Sequence, residues 1–291
     1  MTFDRRKFLK YSACASASVL VLSKLDVMAK ANMKNIGLQL YSLREEFPKL
    51  GVEEIISRVA KAGYKFVEPY GYSKKDGFWG KSPKEFKALL NKYKLSTYSG
   101  HYDFNFLATT IKHDVLEDYI SVAKTLGQKY LVVPHIDHKV FASEKNVKDF
   151  AEKLKVVSEI FGKAGIKLVY HNHDFEFKDL GGKTGYDILL KELKPSEMDF
   201  EIDLYWAVRA KQDVLKMFKD HPGRFTFWHI KDIRKSDKTK NTEIGNGTID
   251  FGVFLQHAKQ AGLKYPIVEQ ENFEIDPFES ITRSVKYLEK I

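Results

Sequence analysis

Cysteine is almost missing from this chain: its 291 residues include one, Cys14, in the N-terminal segment. Downstream of it there is no disulfide, no thiolate ligand and no cysteine nucleophile, so a metal there must be held by His, Asp and Glu. Long apolar runs are missing too. The modest apolar stretch 11–22 falls short of the about 20 residues that a bilayer span requires. No dense basic run interleaved with aromatics occurs, which argues against nucleic acid as a partner. The first candidate strand continues into Leu40-Tyr41-Ser42 rather than a glycine-rich turn, which argues against a doubly wound dinucleotide fold.

The formal net charge is +9, and the first 29 residues hold five Lys/Arg against two Asp/Glu. The remaining excess is spread over lysine-rich helix faces, as on a solvated surface. Residues 5–10 read RRKFLK, an apolar stretch follows, and Val27-Met28-Ala29 offers a small-residue cleavage site. This is the layout of a signal peptide, and the paired arginines suit a twin-arginine signal. The expectation is a signal segment at 1–29, export to the periplasm or beyond, and a folded domain at 30–291.

From residue 36 onward short apolar runs alternate with amphipathic stretches. Candidate strands are 36–41, 65–69, 96–100, 130–134, 167–171, 199–203, 226–230 and 266–269. Between them, Phe150, Leu154, Val157 and Phe161 recur at helical steps, and Ser82-Pro83-Lys84-Glu85 opens a helix with a capping box. Ala62-Gly63, Leu126-Gly127, Ala164-Gly165 and Ala261-Gly262 close helices before strands. Eight strand–helix units over roughly 250 residues predict an α/β fold, a (β/α)8 TIM barrel. The stretch 234–241 reads as an exposed loop.

In such a barrel chemistry sits where strands end. Of nine histidines, five lie at expected strand ends: His101, His135, His171, His173 and His229. Glu68, Asp203, Glu269 and Glu271 lie there as well. His171, Asp203, His229 and Glu269, from four successive strands, form a candidate metal set. Two imidazoles with two carboxylates suit a divalent metal, Mn2+ foremost, with Co2+, Zn2+ or Mg2+ as alternatives. Such an ion would polarise a sugar carbonyl.

These strand ends, over residues 34–291, resemble the xylose isomerase-like TIM barrel family, which includes sugar phosphate isomerase/epimerase proteins. The segments carrying the resemblance are GLQLYSLR at 37–44, YHNHDFEF at 170–177, EIDLYW at 201–206, HIKD at 229–232 and GNGTIDF at 245–251. The resemblance implies metal ligands on the last four strands. Asp203, His229 and Glu269 fall on three of these positions; His171 stands where many relatives carry Glu, so the remaining ligand is His171 itself or Glu176 reaching in. It also implies a sugar isomerase or epimerase that removes a proton next to a carbonyl and stabilises an enediolate. The alternatives are a 3-keto-glycoside lyase working by β-elimination, a non-catalytic carbohydrate-binding barrel, and a phosphodiesterase.

On the enzyme reading a base must abstract the proton. Glu176 is the first candidate and His173 the second. His101 is a candidate acid, and Lys231 a group that neutralises an enolate oxygen. His135, Trp206, Tyr41 and Glu271 are candidate contacts for substrate, a free sugar or keto-glycoside. The sequence leaves open whether the chain forms a homo-oligomer.

Overall fold

The structure, a computed structural model, describes residues 33–291. The expected signal segment and Cys14 lie outside the described residues. Where strands were expected, short apolar runs form β1 (Gly37–Gln39), β2 (Phe66–Glu68), β3 (Tyr130–Val133), β4 (Lys167–His171), β5 (Met198–Asp203) and β6 (Phe227–Ile230). A small antiparallel ribbon, β7 (Asp232–Ile233) with β8 (Asn241–Thr242), precedes β9 (Tyr265–Val268). The main sheet is parallel, in the order β2-β1-β9-β6-β5-β4-β3. The chain between residues 96 and 102 bridges its two edges. Val67 N–H donates to Ser96 O at 2.9 Å, and Val132 N–H donates to Gly100 O at 2.9 Å. This segment completes the eight-membered barrel. It is not a regular strand, because Thr97 Oγ1 and Gln128 Nε2 both donate to the carbonyl of Ser99 and interrupt the ladder.

Helices cover the outside by burying the faces their periodicity marks. In the helix Glu144–Lys163, Phe150, Leu154, Val157 and Phe161 are buried. The helix Pro83–Lys92 starts at the expected capping box, with Ser82 and Glu85 bonding each other's backbone. Gly63, Gly127, Gly165 and Gly262 all take positive φ, the conformation a helix end needs and a Cβ disfavours. The expected loop at 234–241 connects β7 to β8 and is largely exposed; only its last residue, Asn241, lies in β8, where it and Thr242 are buried. Among the described residues no helix is long and apolar enough to cross a membrane.

The barrel interior is layered by strand periodicity. Phe66, Val132, Val169, Phe227 and Ile267 form an apolar plug separate from the main core. Side chains two residues further along a strand point the same way. Phe66 is thus followed by Glu68, Val169 by His171, Phe227 by His229 and Ile267 by Glu269. The layer above the plug is therefore polar where a barrel of this type more often carries branched apolar residues.

Candidate active site

A cavity of about 420 Å³ opens at the C-terminal end of the barrel, a volume within the usual range for a small-molecule site. Aromatic groups wall it: Tyr41, Tyr70, Tyr72, Tyr102 and Trp206. Its polar lining includes Asp103, His101, His135, His171, His173, Glu269 and Glu271, with no Lys or Arg. Behind Tyr70, Trp79 stacks on Phe47 with ring centroids 4.1 Å apart, so the Tyr70 side of the wall is backed by rings.

The floor is a compact network of acids and imidazoles. Glu201 Oε2 lies 2.8 Å from His101 Nε2, 3.1 Å from His171 Nδ1 and 3.2 Å from His229 Nε2. Glu68 Oε2 is 2.8 Å from His229 Nε2 and 3.1 Å from His101 Nε2. Gln39 and Ser99 donate to Glu68 and fix its carboxylate. The His229 ring faces two ways, because its Nδ1 is 3.1 Å from Glu269 Oε2. One layer up, Lys231 Nζ sits 3.1 Å from Asp203 Oδ2, 2.8 Å from Glu269 Oε2 and 2.7 Å from Glu271 Oε1.

Burial and charge shape the protonation states. Burial lowers the pKa of the His101 imidazole, but Glu68 and Glu201 outweigh it and hold it at about 9. His229 rises well above its usual value because Glu201, Glu269 and Glu68 outweigh its burial. Burial alone would raise Glu201; His229 and His101 bring it down to about 2 despite Glu68 beside it. Burial drives His171 well below the usual imidazole range. Burial, then Lys231 and His135, take His173 down to about 3. Asp203 is pushed up to about 6 by burial, with Lys231 acting in the opposite direction.

Most of the expected site residues meet here. His171, Asp203, His229 and Glu269 offer ligand atoms within 4.8 Å of one another. Tyr41, His101, His135, His173, Trp206 and Glu271 line the cavity. Lys231 is buried behind the lining and ties three carboxylates together. Glu176 is a correction. It does not face the cavity; it is fully buried in a tight turn, accepting from Tyr170 Oη at 2.9 Å and from the backbone N–H of His173 at 2.9 Å. Both oxygens are used within the protein, so Glu176 braces the His171-Asn172-His173 segment instead of acting as a base. Glu201 was not singled out in the sequence. The signal was available: it lies two residues before Asp203 on one strand and so shares its face.

Comparison with known proteins agrees with this geometry. The family model described as xylose isomerase-like TIM barrel matches residues 56–291. A sugar phosphate isomerase/epimerase from Parabacteroides distasonis superposes with a TM-score of 0.78 at 26% identity, covering 88% of this chain and 98% of that one. Inosose dehydratase from Clostridium perfringens is 24% identical over 288 residues, covering 84% of this chain and 93% of the relative. D-allulose 3-epimerase from Methylomonas sp., in complex with D-allulose, shares the fold at a TM-score of 0.66 and 15% identity. The closed parallel barrel, the acid–histidine layer at its mouth and a family match over most of its length together show that this chain belongs to the xylose isomerase-like TIM barrel family.

Proposed function

We propose that this protein is a divalent-metal-dependent enzyme of the isomerase/epimerase type, which removes a proton next to the carbonyl of an unphosphorylated sugar. The observation that carries the reading is the buried acid–histidine cluster directly beneath an open cavity of about 420 Å³. Buried ionisable groups are unfavourable unless paired, and they concentrate where chemistry needs them.

The residues present fit a divalent cation. The donors are nitrogen and carboxylate oxygen, which suit such an ion. Two buried atoms in the cluster, His171 Nδ1 and Glu201 Oε1, make no hydrogen bond. His171 and His229 belong to both donor groupings, one completed by Asp203 and Glu269, the other by His101 and Glu201. When bound, such an ion supplies Lewis-acid polarisation of a carbonyl oxygen.

The chain's own residues then position substrate and move protons. The aromatic wall offers sugar rings apolar faces to pack on. His173 lines the cavity, its Nδ1 has no hydrogen-bond partner, and burial keeps the ring neutral. It is the base in this proposal: the neutral imidazole takes the proton from the carbon beside the carbonyl, leaving the electron pair on the substrate as an enolate. A lining with carboxylates and without Lys or Arg suits a neutral sugar better than a phosphate ester.

A second reading, elimination, shares this first step and differs only in a leaving group on the substrate. The similarity to inosose dehydratase along most of both chains favours it. Both are tested by NMR in deuterated water with free ketoses and 3-keto-glycosides. Deuterium should enter the carbon beside the carbonyl, and chelation should abolish the exchange. His173→Ala should slow it by about 10²-fold or more. Absence of exchange in metal-replete protein with every such substrate would overturn the proposal. Loss of substrate without label in recovered starting material would favour elimination.

A further inference from the structure

The two donor groupings at the mouth are not equivalent. In the upper one, Asp203 and Glu269 already share a buried ammonium with Glu271: Lys231 Nζ stands 3.1, 2.8 and 2.7 Å from the three carboxylates. In the lower one, three imidazole nitrogens converge on a single oxygen, Glu201 Oε2, at 2.8, 3.1 and 3.2 Å. A tetrahedral centre with bonds of about 2.0–2.1 Å sets neighbouring donors about 3.3 Å apart. The three nitrogen–oxygen separations are within about 0.5 Å of that spacing, and the four residues offer ligand atoms within 4.8 Å of one another.

A second observation points to a ligand in the same place. His171 Nδ1 faces Glu201 Oε2 at 3.1 Å without hydrogen-bonding to it, and Glu201 Oε1 has no partner either. Both residues are at least 97% buried. Unsatisfied polar atoms at that depth are unfavourable. Glu68, clamped by Gln39 and Ser99, stands beside His101 and His229 and would orient those rings from outside the donor set.

We propose that this chain holds its divalent ion one layer below the rim, between His101, His171, Glu201 and His229, and that Lys231 takes the place of a cation in the rim set. The inference rests on the metal-dependent reading above and specifies where the ion sits. Three nitrogens and one carboxylate are a softer set than a carboxylate-rich one, so the site favours Zn2+ or Co2+ over Mg2+. An ion there lies under the cavity floor, with His101 and His171 in the lining, and a substrate carbonyl would reach it as a fifth ligand from the cavity side.

The test uses the full chain loaded with Zn2+. Elemental analysis should give one zinc per chain, and an anomalous-scattering map should place it within bonding distance of His101 and Glu201. In calorimetric titration, Glu201→Gln and His101→Ala should each weaken zinc binding at least a hundredfold. Asp203→Asn should change it less than threefold. A peak between Asp203 and Glu269, or Asp203→Asn losing zinc while Glu201→Gln keeps it, overturns the placement yet leaves the proton-abstraction reading standing. Wild-type protein that binds no zinc, cobalt or manganese overturns both. The anomalous peak in wild-type protein decides the question even if a variant fails to fold.

Discussion

Glu176 is enclosed by Tyr170, the backbone of His173 and the turn that carries it. Burial pushes its carboxyl up to about 8 from 4.5, and the bonds from Tyr170 and His173 only partly oppose this. The native state therefore retains a proton that the unfolded chain has released between those two values. Its contribution to stability is complete below about pH 4.5 and is lost as pH rises through about 8. Glu176→Gln cannot ionise, so its stability, followed by urea unfolding at pH 5, 6.5 and 8, should fall less steeply with pH than the wild type's. Parallel slopes would refute the argument. This residue also marks a limit of reading sequence. Spacing placed Glu176 near the mouth, but a tight turn folds its side chain back onto Tyr170, and no linear pattern reports that. His171, Asp203, His229 and Glu269 were legible because strand ends fix where side chains point, whereas a turn does not.

At the scale of elements, the loop after β6 is organised by one buried side chain. Asp232 accepts backbone N–H groups from Ile233, Gly245, Gly247 and Ile249, all within 3.0 Å. Gly247 has to be glycine, since a Cβ there would lie 2.1 Å from Asp232 Oδ1. Removing the carboxylate frees four donors, three of them on residues that solvent partly reaches, so each loss costs about 0.5–1 kcal/mol net. Asp232→Ala should lower stability by about 2–4 kcal/mol and speed amide exchange across residues 243–249, measured by mass spectrometry. Unchanged exchange there would show that the loop is held by other contacts. The sequence had marked GNGTIDF as a motif and 234–241 as a loop, but not the acceptor joining them. Apolar alternation made the strands readable; β7 and β8 are two residues each, too short for any period to show. The segment near residue 98 was foreseen as a strand, and it does fill that slot. The side-chain bonds of Thr97 and Gln128 that break its ladder are invisible in a hydropathy pattern.

For the whole molecule, the polar floor exchanges stability for function. The apolar plug of Phe66, Val132, Val169, Phe227 and Ile267 ends one layer below it, and the next layer buries Glu68 and Glu201 among three histidines. These groups come from β2, β4, β5 and β6 and from the segment that closes the barrel, so an ion among them would tie together most of the circumference. A ligand that binds only the native state stabilises it by about 2.7 kcal/mol at a hundred times its Kd. In a barrel of this size that corresponds to about 5–10 °C in melting temperature. Chelator-treated protein should therefore melt about 5–10 °C below zinc-loaded protein, and added zinc should restore the difference. Glu201→Gln should remove the zinc-dependent shift, because the oxygen on which the three imidazoles converge is replaced by a weaker ligand. Lys231→Met separates this from the rim set. With a metal in the floor, the variant should lose stability through its uncompensated carboxylates, by about 3–5 kcal/mol, yet keep the full zinc shift. If the zinc shift instead grows after Lys231 is removed, the ion has moved into the rim, and the two layers compete for one cation.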